Sequence, residues 1–203
     1  RQSRLGDIFH SSPVVVGAPS EADSFSDAYV SFAQGAATRP TTVYVGTNDG
    51  MLHAFNTYNA TELWSFIPPS LIPSLRETLG GHTLTFDGTP VVADLRTYRA
   101  PNGPTFEERW KTVLVSGYRG GGRGYVALDV TDPRSPKFLW ELDAQNDPQL
   151  GLTYGEPALG TVYLSECTPG GPPCEKGVAI LSGGVPLPPF GVANFAGSRV
   201  GRV

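Results

Sequence analysis

A repeated order of strands is the feature that most constrains the fold of this 203-residue chain. In the first copy, an apolar run at 43–45, a turn at 48–50, a return strand at 51–55 and a third strand at 63–66 form an antiparallel meander. The turn residues Asn, Asp and Gly tolerate positive φ, which a hairpin needs if its strands are to keep their right-handed twist. The stretch therefore predicts three strands paired in sequence order.

The same order recurs further along the chain. Residues 110–142 repeat it in full, and a third copy starts at 178–181. Each copy follows an apolar strand that opens with a proline, at Pro13, Pro90 and Pro157. Proline is tolerated at the first residue of a strand because no ladder donor is lost there. The repeating unit therefore has four strands, and the chain holds two whole units and about half of another.

Four-stranded units in tandem are typical of β-propeller blades. The strands are continuous apolar runs rather than clean alternations, which suits sheets covered on both faces, as when blades stack. A single two-layer sandwich also fits the strands, but it does not explain the repeat. We therefore predict an all-β fold, a partial β-propeller of about two and a half four-stranded blades with loop insertions and short helices.

The predicted domain organisation follows from the same repeat. Residues 1–203 are expected to form part of one β-propeller domain, with blade units at approximately 5–69, 84–142 and 150–203. A closed propeller needs about 4 to 8 blades. We therefore expect the chain to be part of a longer protein.

Insertions account for the spacing of the prolines, about seventy residues against roughly 40 to 45 in a compact blade. The first insertion carries Phe25, Tyr29 and Phe32 at helical spacing after a candidate N-cap at Asp23, which predicts a short helix. The second covers 97–109, and the third is a cysteine loop. All three extend the same connection, so we expect them on one face, often the binding face of a stacked repeat. Neutral drift of surface loops is the alternative.

Cys167 and Cys174 flank the segment TPGGPP. A disulfide is the favoured interpretation because the Gly/Pro spacer can bring its ends together. It would indicate an oxidising compartment: the cell surface, the periplasm or the outside. Two unrelated thiols in a cytosolic loop are the alternative, and a zinc site lacks two further ligands at suitable spacing.

Composition excludes several classes of function. The net charge is −4 and no basic stripe is present, so no nucleic-acid partner is predicted. No apolar run approaches the roughly 20 residues of a membrane span. No signal peptide is visible at Arg1, and we expect the native start to lie upstream or to have been removed.

Polar residues occupy one repeated position, three residues before each proline: His10, Asp87 and Tyr154. In a propeller these strand entrances converge on the central axis, so the three side chains would face a common funnel that binds a ligand or an ion. A hydrogen-bonded turn residue in each blade is the simpler alternative.

The glycine-rich turn GYRGGGRG, residues 117–124, does not fit a phosphate cradle, because no GK[ST] follows and the next segment is a strand. Arg119 and Arg123 in this turn are candidates for contact with an acidic partner, and a mobile solvated hairpin is the alternative. Motifs for a nucleophile elbow, a zinc protease or a calcium loop are absent from the sequence. We therefore predict no enzyme activity.

A set of motifs in fixed order carries a family resemblance: GDIFHSSPVVVG, VYVGTNDGMLHAFN, ELWSFIPPSLIPSL, FDGTPVVADL, WKTVLVSGYRGGGRGYVALDVTD and TYGEPALG. From about Leu5 to Gly184, the chain closely resembles the C-terminal propeller of the PilC/PilY type IV pilus biogenesis and tip-adhesin family. The resemblance implies a secreted bacterial protein at the pilus tip or outer surface. It also implies partnership with minor pilins, and with a host or surface receptor, in pilus assembly, twitching motility and adhesion.

The family's calcium loop lies later in its propeller and has no counterpart here, so no cofactor is expected in this segment. The family's N-terminal adhesive region is likewise expected to lie outside this segment. The run from VYVGTNDG to ELW is also similar to the repeat of pyrroloquinoline-quinone (PQQ) dehydrogenases and of outer-membrane assembly scaffolds, so quinoprotein-like blades are expected. A quinoprotein enzyme would have adjacent cysteines, whereas Cys167 and Cys174 are separated. The dehydrogenase and the scaffold remain alternatives to the pilus function.

Overall fold

The computed structural model describes residues 5–20, 26–185 and 199–202. In chain order the elements are β1 (Val14–Val16), α1 (Asp27–Gly35), β2 (Thr42–Gly46), β3 (Leu52–Asn56), β4 (Glu62–Phe66), a 3-10 helix (Pro69–Leu79), β5 (Val91–Asn102), β6 (Thr105–Gly117), β7 (Gly124–Asp129), β8 (Lys137–Asp143), β9 (Ala158–Leu164), β10 (Cys174–Leu181) and β11 (Arg199–Arg202). No helix in these ranges has the length and apolar character needed to cross a membrane.

The first four strands form blade one, in the order β1-β2-β3-β4, with every pair antiparallel. The amide of Thr47 donates to the carbonyl of Met51 across the turn between β2 and β3. Within that turn Gly50 has φ 87°, a conformation that glycine adopts at no steric cost. The predicted meander and the strand before it are therefore confirmed as one four-stranded sheet.

The next strands repeat this order. Blade two is β5-β6-β7-β8, and the described part of blade three is β9-β10-β11. The second insertion continues β5 and β6 as a long hairpin whose turn contains Gly103, at φ 60°. This extension also pairs with β10, where Arg99 lies opposite Glu175. Blades two and three therefore share one hydrogen-bonded sheet of seven strands.

Two hydrophobic cores lie between successive blades. The buried residues of the first core, between blades one and two, are Tyr44, Leu52, Ala54, Leu71, Phe86, Leu114, Tyr118, Val126, Leu128 and Val130. Those of the second core, between blades two and three, are Leu95, Val113, Val115, Tyr125, Ala127, Leu150, Ala179 and Leu181. Blade two therefore contributes to a core on each of its faces.

Strand β6 explains why its apolar residues form a continuous run. Successive side chains of a strand point to opposite faces, so Leu114 enters the first core while Val113 and Val115 enter the second. All three are 0% exposed. The predicted face-to-face stacking of blades is confirmed, because a two-layer sandwich would bury only one face of this strand.

Helix α1 begins later than the sequence predicts. Its N-cap is Ser26, whose hydroxyl accepts a hydrogen bond from the amide of Tyr29. Ser26 satisfies a helix donor as effectively as an aspartate would. The predicted cap Asp23 and the neighbouring Phe25 lie outside the described residues. The remaining aromatic residues of the predicted face, Tyr29 and Phe32, pack on Trp110 of β6 with ring centroids 4.7 and 6.5 Å away.

Candidate functional site

The segments before β1 and β5 meet through His10 and Asp87. The carboxylate of Asp87 accepts hydrogen bonds from the backbone amide of His10, at 3.1 Å, and from its ring Nδ1, at 2.5 Å. Asp87 is 1% exposed, whereas the side chain of His10 is 40% exposed. The contact therefore joins blade one to blade two through a buried carboxylate.

Arg119 completes the group and links it to blade three. Its Nε lies 3.9 Å from the carboxylate of Asp87, and its guanidinium carbon lies 5.4 Å from the ring centre of Tyr154. We call His10, Asp87, Arg119 and Tyr154 the entrance cluster. The structure thus brings together the three predicted strand-entrance residues, with Arg119 between two of them. A ligand-binding role for them stays a prediction.

The glycine-rich turn that carries Arg119 is packed against its neighbours. A Cβ on Gly121 would overlap the backbone of Thr85, and one on Gly124 would overlap the ring of Tyr118. The amide of Tyr118 donates to the hydroxyl of Thr153 at 2.9 Å, which ties the turn to blade three. The turn is therefore a close contact between backbones rather than the solvated hairpin considered as an alternative.

Arg123, the second arginine of that turn, is engaged within the chain. Its Nε donates to the carbonyl of Leu150 at 2.9 Å, and its Nη2 donates to that of Pro148 at 3.1 Å. These bonds anchor the connection between blades two and three. Arg123 therefore stabilises a connection between blades, whereas Arg119 lies in the entrance cluster, although the sequence alone groups the two arginines as a pair.

The third insertion is closed by a disulfide between Cys167 and Cys174, whose Cα atoms are 5.6 Å apart. Cys174 opens β10 and is 3% exposed. The same strand holds the second insertion, because Glu175 accepts hydrogen bonds from Arg96 at 2.5 Å and from Arg99 at 3.1 Å. The cysteine loop and the long hairpin therefore adjoin.

The long hairpin also holds the first insertion. Glu108 of β6 accepts hydrogen bonds from Ser26 at 2.8 Å, from Arg96 at 3.0 Å and from the indole of Trp110 at 2.6 Å. Burial acts to raise the pKa of Glu108, but these hydrogen bonds and the charge of Arg96 outweigh it and lower the pKa. The three insertions thus form one continuous layer, which we call the insertion layer.

A buried histidine in blade one is a feature that the sequence did not reveal as a site. His53 of β3 lies between two carboxylates, with Nδ1 2.7 Å from Glu62 and Nε2 3.3 Å from Asp49. Burial acts to lower the pKa of His53, but hydrogen bonds and charge from Asp49 and Glu62 raise it overall. Both ring nitrogens face acceptors, so the protonated ring satisfies both.

These residues line a cavity of about 620 Å³ together with Asp7 and His82, which are 2.7 Å apart. In the described part of the chain, no group of three or more His, Cys, Asp or Glu side chains is arranged to hold a metal ion. The arrangement of His53 depends on Glu62 from the adjacent strand. Cross-strand pairing, rather than a linear motif, is the signal that identifies it.

Comparison with known proteins places this geometry in a family. Residues 5–164 match the family model of the PilY1 beta-propeller domain. The chain is similar to the type IV pilus biogenesis factor PilY1 of Pseudomonas aeruginosa strain UCBPP-PA14, with 39% identity over 82% of this chain and 15% of that protein. It is also similar to a PilY1 homolog of Xylella fastidiosa, with 38% identity over 78% of this chain and 13% of that protein.

A solved structure shows the same fold. The crystal structure of the Pseudomonas aeruginosa PilY1 C-terminal domain matches with a TM-score of 0.54 and 36% sequence identity, over 77% of this chain and 27% of that chain. In length, the chain spans only 15% and 13% of the two relatives named in the previous paragraph.

Proposed function

The chain belongs to the PilY1 β-propeller family, and from that premise we propose that it is a propeller segment of a type IV pilus biogenesis protein. The observation that carries this proposal is the 39% identity to a type IV pilus biogenesis factor over 82% of the chain. The relatives' names concern proteins several times longer. The pilus role is therefore proposed for the protein to which this segment contributes.

We propose that the segment works through protein–protein contacts and carries no catalytic centre or cofactor of its own. Its buried polar groups, such as Asp87 and Glu108, are paired with neighbouring blades and insertions, which suits a scaffold. The family match favours this function over a PQQ-dependent dehydrogenase and over an outer-membrane assembly scaffold. A quinone absorbance band in the purified chain after reconstitution with the cofactor would contradict the proposal.

The proposed location is the bacterial cell surface, at the pilus tip or the outer membrane, with minor pilins of the tip complex and a host or surface receptor as partners. The disulfide between Cys167 and Cys174 supports an oxidising compartment. The insertion layer is the proposed contact surface, because its three parts extend the same connection in successive blades and adjoin each other.

A genetic replacement in the source bacterium tests this function. The full-length gene is deleted and then restored either intact or without the codons for residues 5–185. We expect surface pili and twitching motility to be lost on deletion, to return with the intact gene, and to stay absent with the shortened gene. An otherwise matched strain that makes normal pili and twitches with the shortened gene would contradict the proposal.

A further inference from the structure

Arg119 of the entrance cluster has a backbone conformation that is unusual for its residue type. Its φ is 52°, in the left-handed region that residues other than glycine seldom occupy. An antiparallel bridge to Thr153 holds it there, so the contact between blades two and three fixes the conformation. Strained conformations of this kind concentrate at binding and switch sites, where the surrounding structure keeps them in place.

The guanidinium of Arg119 is held in place by its neighbours, but its hydrogen-bond donors have no acceptor in the described part of the chain. Asp87, the carboxylate beside it, already accepts two hydrogen bonds from His10. The distance of 3.9 Å from Nε to Asp87 gives charge attraction without a hydrogen bond. Nε is buried and has no hydrogen-bond partner, and no other nitrogen of the guanidinium has one within the described ranges. Such an unpaired buried donor is rare in folded proteins.

Tyr154 sets the orientation of the guanidinium. The ring lies under the guanidinium carbon at 5.4 Å, a favourable cation–π arrangement. The side chain of Arg119 is 28% exposed, and Tyr154 is 41% exposed. Both side chains are therefore partly open to solvent.

The cleft next to Arg119 limits what can bind. Thr89, Tyr154 and Glu156 line it, and its volume is about 10 Å³, the size of a single water. It therefore excludes a cofactor, and a partner's side chain reaches Arg119 at the mouth of this cleft rather than inside it. Glu156 forms no ion pair with Arg119 in the described structure.

We propose that Arg119 is the binding site for a carboxylate of a partner protein, an aspartate or glutamate side chain that docks on the exposed part of the guanidinium at the mouth of this cleft. The planar guanidinium matches a carboxylate with two parallel hydrogen bonds, a geometry that lysine cannot supply. Asp87, which is 1% exposed, and Glu156, which lines the cleft, both place negative charge near Arg119, so recognition depends on the directed hydrogen bonds of the guanidinium more than on net charge. Arg123 does not share this role because its donors serve Leu150 and Pro148.

This inference depends on the proposed function in one respect: the carboxylate is taken to belong to a partner protein. The test uses the purified full chain labelled with ¹⁵N and two probes, acetyl-Gly-Gly-Asp-Gly-Gly-amide and the same peptide with Asn in place of Asp. We expect the Nε–H resonance of Arg119 to shift saturably with the Asp peptide and not with the Asn peptide. The corresponding resonance of Arg123 is expected to stay in place.

Two variants of Arg119 test whether binding needs the planar guanidinium or only a positive charge. Arg119→Gln and Arg119→Lys are each expected to weaken Asp-peptide binding by about tenfold or more, whereas Arg134→Gln, at an exposed turn, is the matched control and leaves it unchanged. Unaltered binding by Arg119→Gln, full binding by Arg119→Lys, or an equal response to the Asn peptide would each overturn the proposal. If Arg119→Gln does not fold, the wild-type titration of the two arginine resonances decides.

This readout is independent of pilus assembly. Failure of the peptide to bind would leave the pilus function standing. Normal pili in the strain with the shortened gene would remove the pilus function and leave the carboxylate site standing.

Discussion

Replacing Asp87 by Asn tests whether the entrance cluster holds the blades together. The substitution keeps the size of the side chain but removes its charge, in a position that is 1% exposed. The amide oxygen of the new side chain can still accept from the backbone amide of His10. Its NH₂ group can donate to the ring Nδ1 only in the tautomer that carries no proton there, so a neutral hydrogen bond replaces one to a charged group. The charge of Arg119, 3.9 Å away, also loses its partner.

The magnitude follows from these contacts. A hydrogen bond to a charged group contributes roughly 1.5 to 3 kcal/mol, and the half-exposed ring of His10 recovers part of that in water. We therefore expect Asp87→Asn to lower the free energy of unfolding by about 2 kcal/mol. For a chain of this size, that corresponds to a decrease in Tm of about 4 to 8 °C.

Urea unfolding followed by tryptophan fluorescence measures the effect. Asp132→Asn is the matched control, because Asp132 lies at an exposed turn where Asn can also accept the hydrogen bond from the Arg134 amide; it is expected to change stability by less than about 0.5 kcal/mol. His10→Gln and the double variant complete a cycle, and we expect a coupling of about 1 kcal/mol between the two positions. Strict additivity, or a change no larger than that of the control, would refute the reasoning.

Three further outcomes are expected. Leu114→Ala removes a side chain that is 0% exposed and lies between two blades, so urea unfolding should show a loss of stability of about 3 kcal/mol. The control Ile72→Ala, at a position that is 56% exposed, should lose less than about 0.5 kcal/mol. Equal losses would contradict the interblade core. Replacing both Cys167 and Cys174 by Ser opens an eight-residue loop and should lower the free energy of unfolding by about 2.5 kcal/mol on the chain-entropy relation. A reductant should then have no further effect on the stability of the double variant. A double variant as stable as the wild type would argue against the disulfide. The raised pKa of His53 predicts a contribution to stability that is complete below its ordinary value of 6.5 and is lost as pH rises through the higher folded value. The stability difference between wild type and His53→Gln should therefore shrink with rising pH, and an NMR titration of the ring checks the pKa shift directly. A stability difference that grows with pH would contradict the assignment.

The sequence was sufficient for the repeating features of the fold. The run 113–115 predicted a strand covered on both faces, and the structure buries Val113 and Leu114 in different cores. The equal spacing of polar residues before each proline predicted that His10 and Asp87 lie near each other, and they are hydrogen-bonded. These features were accessible because a repeat reports the same local pattern several times.

Features that depend on non-local pairing were not accessible. Arg119 reaches the entrance cluster through a left-handed backbone and glycine packing against Thr85, which no residue type in the turn specifies. The pairing of β5 with β10 depends on how two blades meet, since Arg99 and Glu175 are far apart in sequence. The sequence places the candidate cap of α1 at Asp23, before the helical spacing of its aromatic residues, whereas the structure uses Ser26. Since Asp and Ser are nearly equivalent as caps, residue type alone does not distinguish the two positions.

Methyl–methyl nuclear Overhauser contacts of strand β6 test the central claim, that the sheets stack face to face as blades, most directly. We predict that the methyl groups of Leu114 show cross-peaks only to residues of the first core, such as Leu52, and that those of Val115 show cross-peaks only to residues of the second core, such as Leu181. Cross-peaks from both side chains to one common set of residues, or a solvent-exposed face at residues 113–115, would contradict the stacked-blade account.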